Sequence, residues 1–250
     1  MFDFLFKKNN TEPKKLFYHT DIHCHIMPGV DHGAADADAS LALLDAQKRW
    51  GIDRIILTSH VTDGTFENNP DTLSEGFRTL QSALAAAGRE NDFKLDFSAE
   101  YRIDTLFLTQ LEKNLIRPFP DGHLLIENSF LQEPIGLDSL IFDLQTKGYS
   151  LILAHPERYC YYHNNFQRYK DLHDRGVQFQ TNLLSLAGYH SKEVKKIAEK
   201  LAKEGLVDFL GSDLHHDRHV QAIDAYLGSR QYAKLEPVLQ ETIKNDSVRI

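Results

Sequence analysis

The sequence predicts an α/β fold: a closed barrel of parallel strands with helices outside, resembling a TIM barrel with one strand fewer. Three observations point there. Seven short apolar runs alternate with helical patterns and no linker divides them, as expected of βα units feeding a parallel sheet. The length of 250 residues suits one α/β barrel. Six of the seven runs carry a metal-type ligand at or just beyond the carboxyl end, where the loops of a barrel converge on one mouth. An open sheet would string those residues along an edge.

In chain order, residues 1–17 read as an N-terminal arm, with Phe2, Phe4, Leu5 and Phe6 docking on a surface, and residues 18–250 as a single domain. The arm's apolar run followed by lysines lacks the order of a signal peptide. Strand 19–24 (HTDIHC) leads to a helix at 36–50, which opens with Asp36 and Asp38 and closes with Lys48, Arg49 and Gly51, as the helix dipole favours. Strand 54–59 (RIILTS) precedes a helix at 70–87, where Leu73, Phe77, Leu80, Leu84 and Ala87 recur at gaps of four and three. Strands follow at 94–99 (KLDFSA) and 123–128 (HLLIEN), then a helix at 137–147 carrying Leu137, Leu140, Ile141 and Leu144 ahead of Gly148. Strands 150–155 (SLILAH) and 177–182 (VQFQTN) lead to a helix at 191–204 with Val194, Ile197, Ala198 and Leu201 on one face, and strand 207–212 (VDFLGS) closes the series.

Bulk properties narrow the function. At 42% apolar and 26% charged the chain is neither disordered nor fibrous. A net charge of −8 opposes a general nucleic-acid surface and leaves anionic substrates to local cations. Cys24 and Cys160, the only cysteines, make no disulfide framework and fit a reducing compartment. No stretch approaches the ~18 apolar residues of a membrane span. A cytoplasmic protein is expected.

The ligands come as follows. His23 and His25 end the first strand, His60 follows the second, Glu100 follows the third, Glu127 ends the fourth and His155 ends the fifth. Asn182 ends the sixth, and Asp213 and His215 follow the seventh. His23 and His25, two apart, face one side of a strand and can grip one ion; Cys24 between them then faces the helices as a small apolar residue. Asp21 shares the parity of the two histidines but lies one step deeper, as a supporting partner. His19, His123, His163, His173, His190 and His219 read as structural or exposed. Imidazoles and carboxylates without thiolates suit Mn, Fe or Zn in a catalytic site. More than four ligands imply two or three ions, the apparatus of phosphoester hydrolysis.

The motifs DIHCHIMPGVDHGA, LTSH, SAEYR, LLIEN, LAHPERY and GSDLHH, in this order, resemble the PHP-type metallophosphatases, and among them the bacterial protein-tyrosine phosphatases linked to capsule and exopolysaccharide synthesis. The resemblance runs from about residue 18 to about 220. It implies the PHP fold, a distorted (β/α)7 TIM-like barrel, with three metal ions, manganese first among the candidates. By motif position, His23, His25, Glu100 and Asp213 would hold one ion, Glu100, Glu127 and His155 a second, and Asp31, His60 and His215 a third. Arg158 in HPERY would hold phosphate. Two departures are His32, where the family often has a second acid, and Arg218, the candidate for a second phosphate arginine at a shorter spacing.

The implied activity is hydrolysis of phosphotyrosine by a metal-activated hydroxide, on a protein such as the tail of a bacterial tyrosine autokinase. The reaction needs no cysteine nucleophile, and the five-residue Cys-to-Arg signature of Cys-based phosphatases is absent around Cys160. Tyr159, Tyr161 and Tyr162 either flank a phenyl ring or pack a loop. The competing readings are a small-molecule PHP phosphatase of the histidinol phosphate type, another barrel metallohydrolase, and a metal-stabilised phosphotyrosine-binding module without turnover.

Overall fold

A computed structural model describes residues 14–250; the expected docking of Phe2, Phe4, Leu5 and Phe6 lies outside them. Of the remaining arm, Leu16 is buried and its N–H donates to the Trp50 carbonyl at 2.8 Å.

Strands form at all seven expected runs, as β1 (Thr20–Asp21), β2 (Arg54–Leu57), β3 (His60–Val61), β4 (Lys94–Phe97), β5 (Glu100–Arg102), β6 (His123–Glu127), β7 (Ser150–Ala154), β8 (Gln178–Asn182) and β9 (Phe209–Gly211). Every pairing is parallel. After the second and third runs the chain breaks and pairs again as β3 and β5, so the strands divide into one sheet ordered β1-β2-β4 and another ordered β3-β5-β6-β7-β8-β9. The result is a mixed α/β fold whose parallel sheets curl into a half-barrel, not one uninterrupted seven-stranded ladder. Backbone bonds cross the breaks, with Thr58 N–H donating to the Cys24 carbonyl at 3.0 Å and Ser98 N–H to Leu57 at 2.8 Å. An isolated parallel bridge joins Cys24 to Leu214, flanked by bonds from Asp213 N–H to the His23 carbonyl (2.8 Å) and from His25 N–H to Leu214 (3.0 Å).

The four helices read from the sequence are α1 (Ala37–Trp50), α2 (Pro70–Ala86), α4 (Leu137–Thr146) and α7 (Lys192–Lys203). Their ends follow the expected chemistry. Asp36 accepts the Ala39 N–H at 2.9 Å, Ser191 accepts the Val194 N–H at 3.1 Å, and Gly51 takes φ 89° at the end of α1, where a side chain would strain. Between and after them lie α3 (Thr105–Glu112), α5 (Phe166–Asp174), α6 (Leu183–Ala187), α8 (Asp217–Leu227) and α9 (Arg230–Gln240). No helix among the described residues is long and apolar enough to cross a membrane.

Strand alternation sorts the core in two. Leu124 and Ile126 on β6, with Leu151 and Leu153 on β7, join the large cluster beneath the helices. Leu125, Ile152, Ala154 and Phe209 form a smaller one on the opposite face. That apolar plug leaves the carboxyl ends of the strands to the polar residues.

Candidate metal centre

Five imidazoles and three carboxylates meet where the expected ligands gather. His23 places Nδ1 2.6 Å from Gln180 Oε1; a carbonyl oxygen only accepts, so Nδ1 carries a proton and Nε2 is the nitrogen left to face a cation. His25 Nδ1 lies 2.9 Å from Asp31 Oδ2 with the same consequence. The two Nε2 atoms then face each other at 3.2 Å. Glu100 Oε2 lies 3.3 Å from His23 Nε2, 3.4 Å from His25 Nε2 and 3.0 Å from His60 Nδ1. Asp213 Oδ1 is 3.6 and 3.3 Å from the same two Nε2 atoms. On the far side Glu100 Oε1 is 2.8 Å from His155 Nε2, which is 3.6 Å from Glu127 Oε1. His215 donates from Nδ1 to the Asp213 carbonyl at 2.8 Å, and its ring stacks on His25 with centroids 3.9 Å apart.

These donor atoms fit divalent cations. Four overlapping sets lie within 4.8 Å of one another: His25, His60 and His215; His23, His155 and Asp213; His23, His25 and Glu100; His60, Glu100 and Glu127. Glu100 Oε2, His60 Nδ1 and His215 Nε2 are buried without a hydrogen-bond partner, a costly state for polar atoms unless a ligand meets them. Nitrogen and oxygen donors without sulfur suit Mn, Fe or Zn. The titration behaviour agrees. Burial opposes charge on His23, yet Glu100 and Asp213 push its pKa up to about 9. Burial and the neighbouring Glu100 push the Glu127 carboxyl up to about 8. The carboxylates thus draw positive charge inward, which cations satisfy. Asp213 (φ 49°) and His155 (φ 33°) both sit in the left-handed backbone region, uncommon for such residues and typical of functional turns.

Asp31 stands beside these sets and bonds to two of their members. It belongs to none of the four sets: one oxygen accepts from His25 Nδ1 and from the His60 N–H at 3.0 Å, the other from the Gly33 N–H at 2.8 Å. It therefore orients His25, which stands with His60 and His215 in one of the four sets. Asp21 touches neither histidine ring. It accepts from Gln47 Nε2, Ser212 Oγ and the His23 N–H, because β1 loses its regular alternation after Asp21. Cys24 packs in the helix-side core.

Over the ligands opens a cavity of about 360 Å³, at the small end of ligand pockets. Arg158 lines it, with Nη1 3.1 Å from Asp213 Oδ2. So does Arg102, whose Nη1 lies 3.8 Å from Glu127 Oε2; it is two residues after Glu100, so strand parity alone would have found it. Phe130 stacks on His155 at 5.6 Å and lies under the Arg158 guanidinium at 4.7 Å. His190 and His219, which the sequence assigns to structure, also line the cavity, as does His32. Arg218 does not: it is exposed on the first turn of α8, while His219 beside it turns inward. Of the three tyrosines, Tyr159 donates to the Ala154 carbonyl, Tyr161 to Ser129 and Tyr162 to Glu133; they pack the loop and do not line the cavity.

Residues 19–223 match the family described as capsular polysaccharide synthesis, CpsB/CapC. The chain belongs to the CpsB/CapC family. Relatives of this CpsB/CapC chain include tyrosine-protein phosphatase YwqE of Bacillus subtilis (strain 168), 34% identical over 199 residues that cover 78% of this chain and 77% of that protein. Tyrosine-protein phosphatase CpsB of Streptococcus pneumoniae is 33% identical over 208 residues, 78% of this chain and 82% of its own. Among solved structures, one from the pair YwqE of Bacillus subtilis and CpsB of Streptococcus pneumoniae, described as unique metal-dependent tyrosine phosphatases, superposes with a TM-score of 0.75 at 30% identity, covering 92% of this chain and 96% of that one. Histidinol phosphate phosphatase from Lactococcus lactis, solved with zinc, L-histidinol and phosphate, shares the fold at a TM-score of 0.50 and 14% identity, over 84% of this chain and 92% of its own.

Proposed function

We propose that this CpsB/CapC chain is a metal-dependent protein-tyrosine phosphatase that acts in the cytoplasm on the phosphotyrosine tail of a bacterial tyrosine autokinase controlling capsule or exopolysaccharide synthesis. One observation carries the reading: Glu100 Oε2 is ringed by three imidazole nitrogens at 3.0–3.4 Å, beneath a cavity walled by Arg102 and Arg158. Two or three divalent ions, manganese first and iron or zinc as alternatives, would be held by His23, His25, Glu100 and Asp213, by Glu100, Glu127 and His155, and by His60 and His215 with Asp31 fixing His25. The bonds joining Cys24 and His25 to Leu214 support a ring of seven strands within one domain over 18–250, counting β2–β3 and β4–β5 as one strand each.

When bound, such ions neutralise phosphate oxygens and bring the pKa of water near neutrality. The chain's own groups do the rest. Arg158 and Arg102 present planar forks that match phosphate oxygens, and Arg102 takes the part for which the resemblance offers Arg218. His219 accepts the His215 N–H at Nδ1 (3.2 Å), so its proton sits on Nε2. Burial and the neighbouring His216 hold its pKa down at about 4, so at neutral pH it is an uncharged donor on the cavity wall. Phenolate, with a pKa near ~10, departs with little protonation. Turnover of a phosphotyrosine peptide in the presence of manganese, abolished by His25→Ala, is the expected result. A fully metallated sample that turns over no phosphotyrosine peptide refutes the phosphatase assignment, and faster hydrolysis of histidinol phosphate than of the peptide refutes the substrate.

A further inference from the structure

Beside the cavity runs a second depression of about 610 Å³, lined among others by Ile103, Leu108, Leu131, Pro134 and Ile135. Its apolar side chains face solvent: Leu131 is 89% exposed, Ile135 96% and Leu108 45%. Large apolar groups gathered in the open mark a binding surface.

The same two stretches of chain build both depressions. Arg102 lines the cavity while the next residues, Ile103 to Thr105, line the groove; Phe130 lines the cavity while its neighbours Ser129 and Leu131 line the groove. The groove therefore starts at the cavity's own rim. A tyrosyl phosphate reaching down to the ligands leaves its backbone at that rim, with the adjoining residues over the groove. Charge narrows the occupant further. Among the described residues no lysine or arginine lines the groove; both guanidinium groups stand on the cavity side. Among the described residues Asp104 is its only ionisable lining residue, and its carboxylate already accepts the Phe107 and Asp63 N–H groups.

We propose that this groove binds the polypeptide stretch adjoining the phosphotyrosine of the substrate protein, selecting apolar over acidic flanking side chains. The proposal rests on the phosphatase reading above. Its test compares three substrates on the manganese-loaded protein: a phosphotyrosine peptide flanked by leucines, the same peptide flanked by glutamates, and p-nitrophenyl phosphate, which is too short to reach the groove. The wild type should show a KM about tenfold lower for the leucine peptide, the gain from burying one or two apolar side chains. Leu131→Ser/Ile135→Ser, altering two exposed positions, should erase that preference while p-nitrophenyl phosphate turnover stays at the wild-type rate. A preference absent in the wild type, or intact in the double variant, overturns the proposal. So does a dimer that the double variant dissociates, measured by light scattering, since a second copy would then be the occupant. Turnover of p-nitrophenyl phosphate without peptide preference removes the groove assignment alone; no turnover of any substrate removes the phosphatase reading and this proposal with it.

Discussion

At His23 a neighbour decides which nitrogen faces the ligand cluster. Gln180 Oε1 accepts from Nδ1 at 2.6 Å while its own amide donates to Asn182 Oδ1 at 2.8 Å, so the amide cannot reverse without losing both bonds. Partners of this kind set tautomer and ring orientation, and removing them lowers metal affinity or activity by about 10- to 100-fold. Gln180→Ala should therefore need correspondingly more manganese for half-maximal activity, read from a metal titration of turnover; an unchanged titration would show that the cluster orients His23 unaided. Several of these residues were legible from the chain alone. His23 and His25 announce themselves by spacing, Glu127 and His155 by ending strands, and Glu100 by following one. Phe130 and His190 had no such signal, since each is brought to the cavity by a loop whose path depends on packing elsewhere. Asp31 shows the converse: its motif position is clear, but only the fold reveals the bonds its oxygens accept from His25, His60 and Gly33.

Among the strands, β9 approaches its neighbours closely because Gly211 has no side chain. A Cβ there would lie 2.5 Å from Gln180 Nε2 and 2.7 Å from His23 Cβ, below any real contact distance. Gly211→Ala should cost about 1–3 kcal/mol, the usual penalty for overpacking, and appear as a lower denaturant midpoint with reduced metal retention. At the other end of β8 and β9, Asp208 accepts from the Phe179 N–H (2.9 Å), His173 Nε2 (3.0 Å) and Lys244 Nζ (2.8 Å). Burial alone would raise its pKa, but the bonds from His173 and Lys244 hold it below the ordinary 3.8. The unfolded chain then binds more protons than the folded one near and below that pH, so this contribution is present at neutral pH and fades as pH falls. Asp208→Asn should be less stable than wild type at pH 6, with the gap closing near pH 3 in paired thermal melts; a gap independent of pH would contradict this. Periodicity located α1, α2, α4 and α7 to within a residue or so, since each has a cap and one apolar face. It could not foresee that short strands would form again just past the runs at 54–59 and 94–99, because β3 and β5 pair within the other sheet.

For the whole molecule the consequence is a dependence of stability on metal. Ligands drawn from strands across the sheet surround one small volume, so an ion bound there and not by the unfolded chain adds RT ln(1 + [L]/Kd), about 2.7 kcal/mol at a hundredfold excess over Kd. For a chain of this length each kcal/mol moves the melting temperature by roughly 2–4 °C. Stripping with a chelator should lower the Tm by roughly 5–10 °C per such ion, and added manganese should restore it; identical melts with and without chelator would argue against a bound ion.

The bonds from Ser212 to Asp21 and from Asp213 to the His23 carbonyl span about 190 positions of chain. Contacts so distant in sequence come late in folding, because a long loop must close before they repay its entropy. A chain emerging from the ribosome holds His23, His25 and Glu100 long before Asp213 exists to complete their set. The first and last strands thus act as a latch, and full occupancy of the centre becomes a mark of completed folding.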